Sequence, residues 1–236
     1  MESQPFVFKQ FTVHQNGCAM KVGTDGVLLG AWARLPAAGR VLDVGAGTGL
    51  LAMMVAQRCG AMIDAIEIDD DAYRQAFVNC ANTAWKSRID VLKIPFGDYV
   101  QECGKKYDVV ISNPPYFCNS LQPVSESRSK ARHTATLTFE GLAEGAAALL
   151  KRRGTLTTIL PLPESDAFIR IAASRKLYPM RKTRVITRPE KPAKRMLMEF
   201  GFGRRNCTED ALVIENEDHT FTPAYKELTR DFYLRF

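Results

Sequence analysis

The sequence predicts an α/β fold, a doubly wound and mostly parallel sheet with helices on both faces. Three observations predict it. Short apolar runs alternate with helix-length stretches from residue 40 onward, the rhythm of strands joined by crossover helices. The first strand ends in glycines that open directly into a helix. The chain has 236 residues, 46% hydrophobic and 25% charged, enough to bury one substantial core. This composition excludes a disordered chain, and no apolar run approaches the ~18 residues of a membrane span. Met1 to Val13 contains Glu2 and Lys9 and no apolar signal-peptide core, which predicts a soluble cytoplasmic protein with no membrane partner.

Each element follows from its pattern. Arg40-Val-Leu-Asp-Val-Gly45 reads as a short buried strand, and Leu50 to Cys59 as a packed helix, apolar nearly all round at its start. Met62 to Ile68 reads as the second strand, Asp70 to Ala84 as the second helix and Ile89 to Lys93 as the third strand. Tyr107 to Ser112 is a fourth strand, stopped by Asn113-Pro114-Pro115. A helix from Leu142 to Leu150 leads through Arg153-Gly154 to a fifth strand, Thr155 to Leu160. Beyond lie a helix over Glu164 to Lys176, strands near Pro179 to Thr187 and Arg195 to Phe202, and an amphipathic helix over Pro223 to Phe236. Phe117 to Leu137 and Thr187 to Ala193 read as loops. The expectation is one domain over 1–236, an N-terminal segment (1–39) preceding a Rossmann-like core (40–236).

Cys18, Cys59, Cys80, Cys103, Cys118 and Cys207 are scattered, as are His14, His133 and His219. No metal-ligand spacing occurs, so reduced cysteines and no metal are expected. The net charge of +6 is uneven. Residues 128–205 hold 18 Lys and Arg against 6 Asp and Glu, and the rest of the chain 14 against 20. A solvated basic surface and a polyanion-binding face both fit this excess. For the second, the candidates are Arg128, Lys130 and Arg132 in one loop, with Arg181, Lys182, Arg184, Arg188, Lys191 and Lys194 further on.

Four features carry chemistry. Asp43-Val-Gly45-Ala-Gly47-Thr-Gly49 lets the backbone turn tightly and approach a ligand, although an ordinary strand–helix turn has the same look. Its G-x-G-x-G spacing departs from the dinucleotide fingerprint, and Asp43 would repel a diphosphate. Glu67, ending the second strand, can accept ribose hydroxyls; the alternative is a strand-end surface charge beside Asp69, Asp70 and Asp71. Asp98, after the third strand, can accept from an adenine amine or cap a helix. Three carboxylates around a ligand bearing ribose, adenine and positive charge suit S-adenosyl-L-methionine better than NAD or ATP. Asn113-Pro114-Pro115-Tyr116 is the most specific feature. The Asn113 side-chain oxygen and the Pro114 carbonyl can both accept from a planar –NH2 group, aiming its lone pair, while Tyr116 offers a stacking face for a flipped base.

These motifs resemble those of class I S-adenosylmethionine-dependent methyltransferases that modify an exocyclic or amide nitrogen. The resemblance implies a seven-stranded, mostly parallel sheet whose last strand is antiparallel. It places Gly45, Gly47 and Gly49 on the cofactor, Glu67 on the ribose, Asp98 on the adenine and Asn113 to Tyr116 on the target. Phe8 to His14, Cys18 to Trp32 and Pro223 to Leu234 further resemble the two ends of the bacterial valine-tRNA adenine-N6-methyltransferases. That family implies methylation of N6 on adenosine 37, in the anticodon loop of a valine tRNA, with residues 1–39 covering the cofactor through Thr24 and Asp25. Ribosomal RNA or a release-factor glutamine are alternative acceptors, and a non-catalytic RNA-binding module is an alternative of another class. The short N-terminal segment disfavours the glutamine acceptor, the basic stretch favours nucleic acid, and the intact motifs disfavour a non-catalytic role.

Neutralising Arg128, Lys130 and Arg132 together is expected to weaken RNA binding and flatten its salt dependence. A titration of affinity against salt reads this, and an unchanged slope would move the contacts to residues 181–195.

Overall fold

The computed structural model describes residues 4–16, 21–115 and 137–235. Among them the chain runs β1 (Phe6–Val7), β2 (Thr12–Val13), α1 (Thr24–Trp32), β3 (Arg40–Val44), α2 (Leu50–Arg58), β4 (Met62–Glu67), α3 (Asp70–Ala81), β5 (Ile89–Lys93), α4 (Phe96–Glu102) and β6 (Tyr107–Ser112). It continues through α5 (Phe139–Leu149), β7 (Leu150–Pro161), α6 (Leu162–Ser174), β8 (Leu177–Ile186), β9 (Arg195–Phe202), β10 (Thr208–Val213) and α7 (Pro223–Thr229).

The central sheet has the order β10-β8-β9-β7-β6-β3-β4-β5. β9 runs antiparallel to β7 and β8, and the remaining pairs are parallel. The expected seven strands are all present, with β9 the last of them in the chain. The eighth, β10, corrects the expectation. Its sequence Thr-Glu-Asp-Ala-Leu-Val is polar and largely exposed, the pattern of a charged edge strand rather than a core one.

Alternation along the strands divides the core between the two faces. Val41, Val109 and Ile111 join α1, α2 and α7 in one apolar cluster. Leu42, Val44 and Val110 join α5 and α6 in the other, around Phe168 and Phe200. Three boundaries differ from the sequence reading. Leu150 begins a strand rather than ending a helix. Residues 96–102 form a helix that the sequence pattern assigns to no element. The C-terminal helix stops at Thr229, where the Phe232 amide tightens the turn onto the Thr229 carbonyl and sends its ring into the core. Among the described residues no helix is long and apolar enough to cross a membrane, and no group of three His, Cys, Asp or Glu could hold a metal ion.

The N-terminal segment is structural as well as peripheral. Val27, Leu28 and Leu29 of α1 are fully buried. Trp32 donates its indole N–H to Thr183 Oγ1 of β8 at 2.9 Å, and the Arg181 guanidinium stacks 3.5 Å from the Trp32 ring centroid. The β1–β2 hairpin is tied down by buried Asn79 of α3. Asn79 Nδ2 donates to the carbonyls of His14 (2.8 Å) and Thr48 (2.9 Å), and its Oδ1 accepts from the His14 amide at 3.0 Å. One side chain thus joins the hairpin to the glycine loop. Asn79→Ala removes these three bonds, with the weaker one its Oδ1 accepts from Gln75 Nε2 (3.3 Å), and is expected to cost about 2–3 kcal/mol, read from denaturant midpoints.

Candidate active site

The site lies at the carboxyl edge of the sheet, where β3, β4 and β6 end. Asp43 sits inside β3 with no solvent exposure. Its Oδ2 accepts from the Ala52 amide at 3.1 Å, inside the first turn of α2, where helix amides lack intrahelical partners. Its Oδ1 is buried and has no hydrogen-bond partner among the described residues. Burial, followed by the field of Glu67 and against the Ala52 bond, pushes the Asp43 carboxyl up to about 7.

The glycines divide the work. Gly45 (φ +75°) and Gly47 (φ +56°) are left-handed, and a Cβ on either would meet nothing within 4 Å, so the open side of the loop faces space for a ligand. Gly49 is also left-handed, but a Cβ there would strike Cys80 Sγ at 2.9 Å. It serves helix packing against α3. Glu67 clamps the loop: Oε2 accepts from the Gly47 amide at 2.8 Å, and Oε1 from Ile68 (2.8 Å) and Asp69 (3.0 Å). Three of the carboxylate's roughly four acceptor positions are in use. A ribose hydroxyl can take the remainder, and holding two requires one of these amides to yield.

A cavity of about 660 Å³ opens beside the loop, lined by Gly45, Glu67, Asp98 and residues of the first turns of α4 and α5. Asp98 lies in the first turn of α4, exposed, and bonds to no described residue. The cavity size, the open glycine cradle, the orphaned Asp43 oxygen and the unengaged Asp98 together fit a cationic nucleoside such as S-adenosyl-L-methionine. Ile66, Ile94, Phe96, Leu137, Thr138 and Gly141 also line it. The sequence reading did not single these out, since an apolar wall has no motif; the Thr138 hydroxyl accepting from the Gly141 amide (3.0 Å) is an N-cap signature that would have marked the α5 end.

The Asn113-Pro114-Pro115 turn follows β6 directly. Ser112 Oγ donates to the Val44 carbonyl at 2.8 Å and is fully buried, so the end of β6 is fixed to the end of β3 and the turn lies beside the glycine loop. Pro114 is buried, while Asn113 and Pro115 are half-buried. A Cβ on Gly26 would come 2.9 Å from Leu50 Cδ2 and 4.0 Å from Asn113 Nδ2. The first turn of α1 therefore abuts the Asn113 turn. Thr24 is exposed in that turn, and Asp25 accepts from Arg195 Nε at 2.8 Å. Neither lines the nucleoside cavity. Tyr116 lies outside the described residues, as do Arg128, Lys130 and Arg132.

The other basic candidates separate into two groups. Arg181 turns inward, onto Trp32 and buried Glu199, and burial pulls its guanidinium below the usual range. Lys182 and Arg184 share Glu209 of β10. Arg188 lies near Glu190, while Lys191 and Lys194 are exposed and have no carboxylate partner among the described residues. These last three flank β9's start, beside the carboxyl edge.

Because the Asp43 carboxyl is raised in the folded chain, stability from its neutral form is present at low pH and lost as pH rises from about 4 through about 7. The ligand-free protein is expected to lose a few kcal/mol on this account between about pH 4 and pH 7. Asp43→Asn is expected to remove that part of the pH dependence; thermal melts of both proteins across the range measure it.

Comparison with known proteins agrees with this geometry. The methyltransferase small domain model matches residues 25–161. A Bacteroides fragilis protein named tRNA1(Val) (adenine(37)-N6)-methyltransferase is 48% identical, covering 99% of both chains. A Trichodesmium erythraeum protein of the same name is 41% identical over the full length of both. Among solved structures, an Agrobacterium tumefaciens protein described as a predicted O-methyltransferase superposes with TM-score 0.71 at 26% identity, covering 88% of this chain and 96% of that one. A T. thermophilus 16S rRNA N2 G1207 methyltransferase, solved with AdoMet and guanosine, shares the fold at TM-score 0.60 and 18% identity, covering 85% of this chain and 50% of that one. The chain belongs to the methyltransferase small domain family, and within it to the tRNA1(Val) (adenine(37)-N6)-methyltransferases.

Proposed function

We propose that this protein methylates N6 of adenine 37 in a valine tRNA, using S-adenosyl-L-methionine. The observation that carries the reading is the Ser112–Val44 bond, which sets the acceptor turn Asn113-Pro114-Pro115 against the glycine loop. When bound, the cofactor supplies a methyl group on a sulfonium. Glu67 and Asp98 would hold its ribose and adenine, and the negative charge that Asp43 gains above about pH 7 favours a cation nearby.

The chain's own contribution is placement. The Asn113 oxygen and the Pro114 carbonyl accept the two protons of the target –NH2, which draws its lone pair out of conjugation and points it across the turn. Two prolines fix that geometry without spending backbone donors. Tyr116, which follows directly in the sequence, would stack the extruded base. Transfer would form the N–C bond as the sulfonium's S–CH3 bond breaks, leaving a neutral thioether; the cationic nitrogen would then release one proton to solvent, so no strong base is required. The excess positive charge of residues 128–205 would meet the tRNA backbone. This substrate places the work in the cytoplasm.

Nucleoside mass spectrometry on tRNA from cells lacking the gene, incubated with protein and cofactor, tests the reading. New N6-methyladenosine mapped to position 37 of the valine tRNA is expected. Methyl transfer appearing only in ribosomal RNA or on a release-factor glutamine would overturn it. Asn113→Ala is expected to lower turnover at least ~100-fold with cofactor affinity retained, as for loss of one positioned hydrogen-bonding group.

A further inference from the structure

A second cleft, of about 400 Å³, lies at the opposite, amino edge of the sheet. Three arginines line it: Arg152, Arg153 and Arg205. Two irregularities bring them together. Between Tyr107/Leu150 and Val109/Thr155 the β6–β7 register shifts, so residues 151–153 bulge out of β7 and are exposed. Gly154 closes the bulge, and a Cβ there would come 2.8 Å from the Tyr107 carbonyl oxygen. On the other wall, Gly203 (φ +82°) turns the chain after β9 and presents Arg204 and Arg205. Arg204 lies over the Tyr178 ring, 5.3 Å from its centroid.

The carboxylates nearest in sequence and register are already engaged. Asp108 holds Lys151, Glu144 holds Arg175, and Glu209 holds Lys182 and Arg184. Among the described residues none forms an ion pair with Arg152, Arg153 or Arg205. Three like charges converging on one cleft without compensation repel one another, which is a standing cost to the fold and an attraction for a polyanion. Gly154 and Gly201 also line the cleft, but their open Cβ positions are filled by the Tyr107 carbonyl and the Met180 side chain, so the arginine side chains carry the recognition.

The distance between the edges identifies what would reach both. Gly154 and Pro161 lie at the two ends of the β7 run that crosses the sheet, about 23 Å apart at the usual strand rise. At the carboxyl edge, Lys191 and Lys194 are likewise without carboxylate partners among the described residues. We infer that Arg152, Arg153 and Arg205 form a second phosphate-binding site, which grips the backbone of the RNA substrate far from the reacting base. The inference rests on the tRNA reading above and extends it: the enzyme holds the tRNA body as well as the loop.

The test compares wild type with the triple variant Arg152→Ala, Arg153→Ala, Arg205→Ala, on two RNAs, by fluorescence anisotropy across a salt series. One RNA is the full-length tRNA; the other is a hairpin of the target loop and its closing pairs, too short to reach the cleft. The variant is expected to bind full-length tRNA about tenfold or more weakly at low salt, with the log–log salt slope reduced by about 2–3. Hairpin affinity is expected to match wild type. The triple Arg→Lys variant, which keeps the charges, is expected to restore most of the slope. An unchanged slope on full-length tRNA, or equal losses on both RNAs, would overturn the inference. Failure of wild type to methylate either RNA would instead overturn the tRNA reading, and the binding comparison remains readable without turnover.

Discussion

A carboxylate cut off from water sits under the first turn of α2, and the carboxyl edge of the sheet is organised around it. Asp43 has one oxygen on the Ala52 amide and the other without a partner among the described residues. A buried unpaired acceptor is costly, and a fold retains one where a ligand or charge completes it. The neighbouring backbone keeps the space beside the loop open, while Asp43 itself stays buried beneath it. Gly45 and Gly47 adopt conformations that side chains rarely take, Glu67 pins Gly47, and Asn79 pins Thr48 from the other side. The loop is thus rigid through its hydrogen bonds and open because it lacks side chains.

Strand order converts that rigid loop into a two-sided site. β3 lies between β4 and β6, so the connections on its two sides leave in opposite directions and a crevice opens at its end. Glu67 enters from the β4 side, and the Asn113 turn from the β6 side. Ser112 spans the gap with a single bond to Val44. In the function proposed above, a nucleoside held on one side and a planar amine held on the other would meet over the end of one strand. That arrangement needs accurate placement of acceptors and no metal or strong base.

Much of this was legible in the sequence. β3, β4 and β6 are buried over most of their length, so apolar runs and turn chemistry agree and their places are clear. Asp43, Glu67, Asp98 and Asn113 were visible because each ends or follows such a strand. β10 was not, since an edge strand carrying Glu209 and Asp210 has the composition of a loop. Nor was the commitment of Arg181 to Trp32 and Glu199, because a run of basic residues in sequence does not reveal which of them points inward. Gly49 reads like its two neighbours in the motif, and its packing against Cys80 depends on where α3 returns. Asn79, mid-helix and without a motif, owes its role to contacts far along the chain.

The pinning of Trp32 to Thr183 has a consequence for how the molecule comes into being. The two residues are 151 positions apart, and Lys9 likewise bonds the Phe232 carbonyl near the other end of the chain. During synthesis α1 emerges early with Val27, Leu28 and Leu29 uncovered, and the surface of β8 that fixes it is made much later. α2 can cover part of α1 early, since the two share one apolar cluster, but the anchor on β8 and the C-terminal aromatic residues are missing until translation is well past β8, a window in which premature association competes with folding. Native closure is a late event, set by the last strands and the C-terminal aromatic residues rather than by the glycine loop.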